Sequence, residues 1–516
     1  MTAFAASKPA LLRIVLIVLI VLSLGRSIGI ARDRGMDTAI QMLDFHIVAT
    51  TIAISQVYHG APGSYLGYPT VDNAFVGVAA SADRAELERL RIADIRPAYR
   101  AAIGVTVPLD EKTNGPFFVQ DTPNDIGYVD FISFALRLLD RGPESLYLFY
   151  FLFLSLSVVL FLVANFQRLD ALAWLALTLI ASDLVIAQST VFNEARNQLY
   201  NVHDYRFVST LAIVPALHLA ALATSDARFG MTSLLTTIVQ GILLALAVWF
   251  RSSALWVVVG LIFLWLVTWM PRLSLQSPEH RLARSLILGT AAAAAIITIN
   301  GLERRIDPDY VDPTLTTSYL RWHAAYVGLA SDAETWHRRK SSRQVDGLED
   351  LNGNVAAEEV IALQRLDPAR LVRPHGGYAW KWYDETLRRL TIDYLLSDPV
   401  AALRLYLWHK PLRFLFFLGP ELLRTLSGSA VGIGLALAGI LTAAVSMATV
   451  AGDRPARRTV VPALIFAAAS AVPPIFAYTL EHGMADQVLI CLWAIFLLAA
   501  SGIAISVRRH VKGAES

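Results

Sequence analysis

Residues 145–165 read SLYLFYFLFLSLSVVLFLVAN and contain no charged side chain. A transmembrane helix needs about 20 consecutive, mostly apolar residues, so this stretch predicts one. Comparable windows recur on both sides of it, near residues 10–31, 170–188, 206–224, 231–250, 253–270, 283–300, 427–450, 459–479 and 485–507. The sequence therefore predicts an all-α polytopic membrane protein with about ten transmembrane helices.

Composition supports this fold class. The chain has 516 residues, of which 55% are hydrophobic and 17% are charged, whereas roughly 25% of residues are charged in soluble domains. A net charge of +2 gives no argument for a nucleic-acid partner, and none is expected. The single cysteine, Cys491, excludes an internal disulfide, and no Cys/His spacing is typical of a zinc site.

Charge in the short connections predicts the orientation. One set of connections and the C-terminal tail are rich in basic residues, namely Arg168, Arg228, Arg272, Arg281, Arg284, Arg454, Arg457, Arg458, Arg508, Arg509 and Lys512. The opposite connection at 480–487 contains Glu481 and Asp486 but no Lys or Arg. Because basic loops stay in the cytoplasm, both termini are expected there, and two long polar segments are expected outside.

The predicted organisation follows from these boundaries. The segments are a first transmembrane helix at 1–31, extracytoplasmic loop one with interfacial helices at 32–144, transmembrane helices two to seven at 145–300, an extracytoplasmic segment at 301–402, an interfacial helix at 403–425, transmembrane helices eight to ten at 426–507 and a cytoplasmic tail at 508–516. The interfacial prediction rests on residues 403–423, LRLYLWHKPLRFLFFLGPELL, where basic and aromatic side chains alternate with apolar ones.

The first outer loop opens with an acid at the membrane boundary. Residues 43–65 read LDFHIVATTIAISQVYHGAPGSY, and Asp44 begins this apolar stretch. A carboxylate at that depth needs a partner or a function, and it could act as a general base towards a hydroxyl acceptor in the aqueous loop. The alternative is that Asp44 caps a helix or pairs with Arg32 or Arg34.

Other residues could assist such chemistry. Asp125 lies in Asn-Asp-Ile-Gly-Tyr at 124–128, which is either a turn or a second catalytic acid that could bind a divalent cation. Arg206, Arg251 and Lys410 are cations at the outer boundary, where they could bind a lipid-linked phosphate or contact lipid headgroups. His323 lies among aromatic residues, which suits either sugar binding or packing.

Two ionisable residues fall inside apolar windows. Asp183 lies in the window 170–188 and His218 in the window 206–224. Ionisable groups inside a membrane are functional hypotheses by default, and a proton-coupled transporter would need them. They can equally form hydrogen bonds between helices, and both interpretations stay open.

The chain resembles a known superfamily at the Asp44 stretch. The pair Asp44-Phe45, the apolar helix after it and Tyr-His-Gly-Ala-Pro-Gly-Ser-Tyr at 58–65 resemble the stretch that follows the first span of integral-membrane GT-C glycosyltransferases, closest to the polyprenyl-phosphate-mannose-dependent branch. Val48 stands where that family has a tyrosine. Residues 394–417 are similar to a membrane-surface helix of bacterial GT-C-like proteins.

The resemblance implies a GT-C-like fold and a function. It implies transfer of a hexose or pentose from a polyprenyl-phosphate donor to a lipid or cell-envelope glycan on the outer face of a bacterial inner membrane. Asp44 is then the catalytic base, and His46 beside it is assigned to substrate binding. No resident cofactor is assigned, apart from a divalent cation at Asp125. The partners expected are the lipid-linked sugar, the acceptor and membrane lipids.

Three alternatives remain at this point. A lipid-linked polysaccharide polymerase or ligase would use His203, Arg206 and Arg251 and would be indifferent to Asp44. A transporter or flippase would place Asp183 and His218 on a central path. A structural envelope component would have no cleft that joins loop one to the membrane.

Overall fold

A computed structural model describes residues 2–37, 53–54, 56–58, 126–140, 144–188, 207–224, 230–269, 289, 293, 322–331, 380–412, 414–416, 430–450, 454–477 and 485–514. The α-helices are α1 (Thr2–Asp37), α2 (Ile126–Leu139), α3 (Glu144–Asn165), α4 (Leu169–Gln188), α5 (Ile213–Ala223), α6 (Met231–Phe250), α7 (Leu255–Trp269), α8 (Trp322–Val327), α9 (Trp380–Ser397), α10 (Pro399–Arg404), α11 (Ala430–Val450), α12 (Arg454–Ala477) and α13 (Ala485–Ala514). Short 3₁₀ helices cover Phe207–Ala212, Ser252–Ala254 and Gly328–Ser331, and a π-helical turn covers Leu405–His409. These described residues contain no strand, which confirms the all-α prediction.

Apolar helices confirm that this is a membrane protein. Four stretches are long and apolar enough to cross a bilayer, namely Ala10–Gly29, Glu144–Asn165, Met231–Phe250 and Gln487–Val507. Shorter apolar helices cover Phe207–Ala223, Ser252–Val267, Ile433–Ala448 and Val461–Val472. Helices occupy every predicted window except 283–300, which lies almost entirely outside the described residues. The total of about ten spans stays a prediction.

Helix α4 is the centre of the bundle. It packs against α1, α11 and α13, and nearly every side chain from Ala171 to Val185 is buried. A helix that is apolar all round belongs inside such a bundle, surrounded by other helices. Peripheral helices instead leave one apolar face exposed: on α6 this face holds Met231, Leu235 and Ile238. These exposed faces are the surface that the bilayer would cover.

The bundle has two distinguishable ends. At one end, where α6 ends and α3 begins, the Phe250 ring packs against the rings of Phe149 and Phe153. At the other end, Arg168 Nη1 donates a hydrogen bond of 2.6 Å to the carbonyl oxygen of Ala221 and joins the start of α4 to the end of α5. We name these the Trp249 end and the Arg168 end.

In a second apolar cluster, α8 and the 3₁₀ turn after it pack against α9. Its buried members are Tyr326, Leu329, Leu387, Tyr394 and Leu405. We name the unit formed by residues 322–331 and 380–409 the second lobe. Helix α9 contributes Leu387 and Tyr394 to this cluster.

The helix that contains Leu403 begins at Pro399, four residues before the start that the sequence predicted for an interfacial helix. Asp398 accepts a hydrogen bond of 3.0 Å from the Ala401 N–H and caps α10, and Pro399 occupies its first position. Proline suits that position because its missing N–H would have no partner within the helix. The break at Ser397–Pro399 therefore sets the boundary, rather than the basic residues that follow.

Candidate functional site

Arg251 lies at the tight junction between α6 and α7. Its backbone N–H donates to the Ala247 carbonyl, and its own carbonyl accepts from the Ala254 N–H, both at 3.0 Å. The side chain is only 8% exposed. A guanidinium held between two apolar helices can bind a phosphate through two parallel hydrogen bonds, which is the role that the sequence predicted for it.

Helix α2 is fixed against this junction at its N-terminal end. The Asp130 Oδ2 accepts a hydrogen bond of 2.6 Å from the Trp249 Nε1–H. A Cβ atom on Gly127 would lie 1.6 Å from the Trp249 carbonyl oxygen, so the backbone of α2 approaches that of α6 at a distance that only glycine allows. The first residue of α2, Ile126, directly follows the predicted acid Asp125 in the chain.

The end of the Asp44 stretch is docked on the same helix. Ser133 Oγ donates to Gln56 Oε1 at 3.0 Å, and both side chains are buried. Ala53 and Ile54 are fully buried in the main core of the bundle. The described residues at the end of the Asp44 stretch therefore share one interface with α2, the helix that leads into α3.

Tyr58 closes this interface at the far end of α2. Its hydroxyl donates to Asp140 Oδ1. Asp140 ends the helix with φ of 44°, a left-handed conformation common at helix ends, and its N–H donates to the Leu136 carbonyl at 2.8 Å. Burial, followed by the hydrogen bond and the charge of Asp140, raises the pKa of Tyr58 above its usual range. The hydroxyl therefore stays a donor throughout the neutral range and well into alkaline pH.

Lys410 was also predicted to bind substrate, and it is buried rather than exposed on the protein surface. It is 3% exposed, and its Nζ lies 4.5 Å from the centre of the Tyr406 ring. The ammonium group thus makes a cation–π contact directly after the π-helical turn. Burial raises the pKa of Tyr406, so the ring remains neutral beneath the cation.

Arg251 and Lys410 are the buried cations of the described part of the chain. Asp44, His46, Asp125 and Arg206 lie outside the described residues. His323 lies in the short helix α8, but its side chain is not among those described. The catalytic and binding roles of all these residues stay predictions.

Asp183 is paired, and its partner had not been identified from the sequence. The Arg26 Nε lies 2.9 Å from the Asp183 Oδ1, and this ion pair joins α1 to the central helix α4. Two features of the sequence could have indicated this pair. Arg26 and Asp183 have opposite charges, and they lie at similar distances from the cytoplasmic ends of two transmembrane helices that are predicted to run in the same direction. Asp183 thus has a structural partner, as one of the two sequence interpretations required.

His218 lies in the other half of the bundle, against a different neighbour. Its ring packs edge-on against Phe161 with the ring centres 5.8 Å apart, and it is fully buried. Within the described part of the chain, neither ring nitrogen has a hydrogen-bond partner. Asp183 therefore contacts α1 through Arg26, whereas His218 contacts α3 through Phe161.

The structure places one buried guanidinium, a helix anchored beside it and the docked end of the Asp44 stretch at the Trp249 end. Within the described ranges, no three His, Cys, Asp or Glu side chains are close enough to hold a metal ion together. No family model, curated protein or solved structure matches the chain.

Proposed function

We propose that the protein is a membrane glycosyltransferase that moves a sugar from a polyprenyl-phosphate donor to a lipid or glycan hydroxyl at the Trp249 end. The proposal takes this end to face the outside of a bacterial inner membrane, with both termini in the cytoplasm, as the basic connections predict. Arg168, in one of those basic connections, lies at the opposite end of the bundle.

One series of contacts gives the main support. The end of the Asp44 stretch binds α2 through Gln56 and Ser133, and α2 binds the end of α6 through Asp130 and Trp249. Arg251 follows Trp249 by two residues. The predicted base and the predicted phosphate ligand therefore belong to segments that pack on one helix, although they are far apart in the chain.

The order of contacts along α2 supports the same assignment. Gln56 contacts Ser133, in the middle of α2, whereas Tyr58 contacts Asp140, after its last residue. Residues later in the stretch thus lie farther from Trp249, which contacts Asp130 near the start of the helix. The described end of the Asp44 stretch therefore runs along α2 away from Trp249, and Asp44 lies earlier in the chain.

The proposed reaction is a displacement at the anomeric carbon. Asp44 takes the proton of the acceptor hydroxyl, and the hydroxyl oxygen forms a bond to the anomeric carbon. The bond from that carbon to the phosphate oxygen breaks, and polyprenyl phosphate leaves with the electron pair. Arg251 stabilises the negative charge that grows on this phosphate, and it does so in a site of low dielectric where the interaction is strong.

The proposal is tested by transfer of radiolabelled sugar from polyprenyl-phosphate donors in membranes that contain the wild type or Asp44→Asn. We expect transfer by the wild type and a loss of at least about a hundredfold in the variant, because general-base catalysis contributes that much or more. Asp37→Asn, an acid seven residues earlier, is the matched control and should transfer normally. Full activity of Asp44→Asn with loss in Arg251→Gln would favour the polymerase or ligase alternative.

A further inference from the structure

Three buried side chains, Ser209, Ser253 and Gln487, have polar atoms that make no hydrogen bond within the described part of the chain. Ser209 lies in the 3₁₀ helix Phe207–Ala212, Ser253 lies in the 3₁₀ helix Ser252–Ala254, and Gln487 is the third residue of α13. Ser209 is fully buried, Gln487 is 2% exposed and Ser253 is 4% exposed. For Gln487, both the Nε2 and the Oε1 atoms lack a hydrogen-bond partner among the described residues.

Many buried side chains of the same types are paired within the protein. The hydroxyls of Ser157 and Ser501 each donate to the carbonyl oxygen four residues earlier in their own helix. The hydroxyl of Thr210, next to Ser209, donates to a carbonyl oxygen of its own 3₁₀ helix at 2.7 Å, and Gln240 Nε2 donates to the Ser157 carbonyl at 2.7 Å. A polar group that is buried without a partner costs free energy, so the exceptions need a ligand or another functional explanation.

Ser209 and Ser253 lie on neighbouring turns at the Arg251 junction. The two 3₁₀ helices that carry them contact each other, and both contact α6. Ser253 follows Arg251 by two residues. The Thr210 and Tyr150 hydroxyls lie 2.9 Å apart and fix the first 3₁₀ helix to α3. Two unpaired hydroxyls therefore belong to the same end of the bundle as the buried guanidinium.

The orientation taken for the proposed function brings the start of α13 to the same place. Helix α13 contacts the 3₁₀ helix that holds Ser209. With the basic C-terminal end of α13 in the cytoplasm, the helix begins at the Trp249 end, where Gln487 lies in its first turn. The amide of Gln487 thus joins the two hydroxyls at the end that holds Arg251.

The proposed donor has three parts that differ in chemistry. Its phosphate is charged and is assigned to Arg251, and its polyprenyl chain is apolar and belongs in the bilayer. Its sugar, which is bonded directly to the phosphate, carries neutral hydroxyl groups that both donate and accept hydrogen bonds. Serine hydroxyls and a glutamine amide offer the same neutral combination of donors and acceptors. Among the three parts of the donor, they match the sugar.

We propose that Ser209, Ser253 and Gln487 form a subsite that binds hydroxyl groups of the donor sugar and selects the sugar by the positions of those groups. This inference rests on the proposed transferase function and adds the residues that determine its sugar specificity. A site whose buried groups pair with particular hydroxyls rejects a sugar that lacks one of them, because a protein group then stays buried without its partner.

A role in sugar binding and a role in holding the fold predict different effects on stability. Loss of a structural hydrogen bond destabilises a protein, whereas an apolar replacement of an unpaired buried group removes the cost of burying that group. We therefore expect Ser209→Ala, Ser253→Ala and Gln487→Met to keep or raise the melting temperature of the solubilised protein without donor. Groups kept for function at a cost in stability behave in this way.

Transfer kinetics with altered donors test the subsite. Polyprenyl-phosphate donors that carry the transferred sugar or one of its monodeoxy analogues are compared for the wild type and the three variants. Ser501→Ala is the matched control, because Ser501 is fully buried but its hydroxyl donates to the Leu497 carbonyl at 2.7 Å. We expect the wild type to use at least one monodeoxy donor with kcat/KM lower by about tenfold or more.

The variant that lacks the group facing the missing hydroxyl should no longer distinguish the two donors, because kcat/KM for the complete sugar falls to the value for the monodeoxy sugar. Ser501→Ala should keep the wild-type preference. Transfer by the wild type with an unchanged preference in all three variants would overturn the subsite and leave the transferase in place. A large fall in melting temperature would also overturn it, because these side chains would then hold the fold. No transfer by the wild type from any polyprenyl-phosphate sugar would contradict the proposed function and the subsite with it.

Discussion

Arg26 and Asp183 form an ion pair inside the helix bundle. Asp183 is fully buried and Arg26 is 22% exposed, so removal of the arginine leaves a carboxylate without its ion-pair partner beside α1. Breaking a buried pair in this way costs about 3–5 kcal/mol, whereas replacing both charges can be nearly neutral. We therefore expect Arg26→Gln to lower the melting temperature of the detergent-solubilised protein strongly and Asp183→Asn to lower it less.

The double variant tests whether Arg26 and Asp183 stabilise the protein as a pair or independently of each other. Arg26→Gln with Asp183→Asn should recover much of the stability that Arg26→Gln loses, with a coupling of roughly 0.5–3 kcal/mol, as is usual for residues in contact. Simple addition of the two single losses would show that the ion pair does not link α1 to α4 energetically.

Trp249 and Asp130 carry the second residue-scale prediction. Trp249→Phe keeps the aromatic ring but removes the Nε1–H that donates to Asp130. Loss of a hydrogen bond to a charged group costs about 1.5–3 kcal/mol, so we expect lower stability in chemical denaturation and weaker anchoring of α2. In an Asp130→Ala background the same change should have little further effect; an equal loss there would assign the cost to ring packing instead.

At the scale of single residues, sequence reasoning identified the chemical types but few partners. Arg251 and Lys410 were recognised as cations at the membrane boundary, and the structure buries both. The apolar residues before Arg251, Val-Trp-Phe at 248–250, do not reveal this burial by themselves. Asp183 was recognised as an intramembrane acid, but its partner is 157 positions away in the chain. Pairing of this kind depends on which helices become neighbours.

At the scale of helices, the contact between α2 and α6 depends on one glycine. The Cβ of Gly127→Ala would meet the Trp249 carbonyl oxygen and carbon, which are backbone atoms that no side-chain rotation can move. We expect this substitution to displace α2 and to lower stability by an amount comparable to overpacking elsewhere, about 1–3 kcal/mol. Limited proteolysis of loop one should accelerate in parallel.

Gly25→Ala on α1 is the matched control, because within the described part of the chain no atom other than the neighbouring backbone of α1 lies within 4 Å of its added Cβ. Alanine there should be neutral or stabilising by up to about 1 kcal/mol, since it favours the helix. Equal effects of the two substitutions on thermal unfolding would contradict a close approach of α2 to α6 at Gly127.

Helices were easier to predict than their surroundings. Length and composition located the apolar helices, because any buried or lipid-covered helix must be apolar over its length. The same property could not distinguish α4, which other helices surround, from α3, which leaves Phe151 and Leu152 exposed. Helix α2 was missed because its first residues overlap the turn signal at 124–128, although the stretch 126–139 is strongly apolar.

At the scale of the whole molecule, the proposed site depends on segments that lie far apart in the chain. The Asp44 stretch, α2, the α6–α7 junction and the second lobe come together only through tertiary contacts such as Ser133 with Gln56 and Phe414 with Ala471. A hydropathy profile contains no information about these contacts, since it gives the number of helices and not their neighbours. The transferase hypothesis, by contrast, came from a short motif and stays a proposal.

The central claim is that the α6–α7 junction binds the phosphate of a polyprenyl-phosphate sugar donor. The most direct measurement is the rate of sugar transfer as a function of donor concentration for the wild type, Arg251→Gln and Arg251→Lys, with Arg388→Gln as the exposed control. We expect Arg251→Gln to lower kcat/KM for the donor by at least about tenfold, equivalent to about 1.4 kcal/mol, with partial recovery in Arg251→Lys and no change in Arg388→Gln. Unchanged donor dependence in a stably folded Arg251→Gln protein, or no transfer by the wild type from any polyprenyl-phosphate sugar, would contradict the claim.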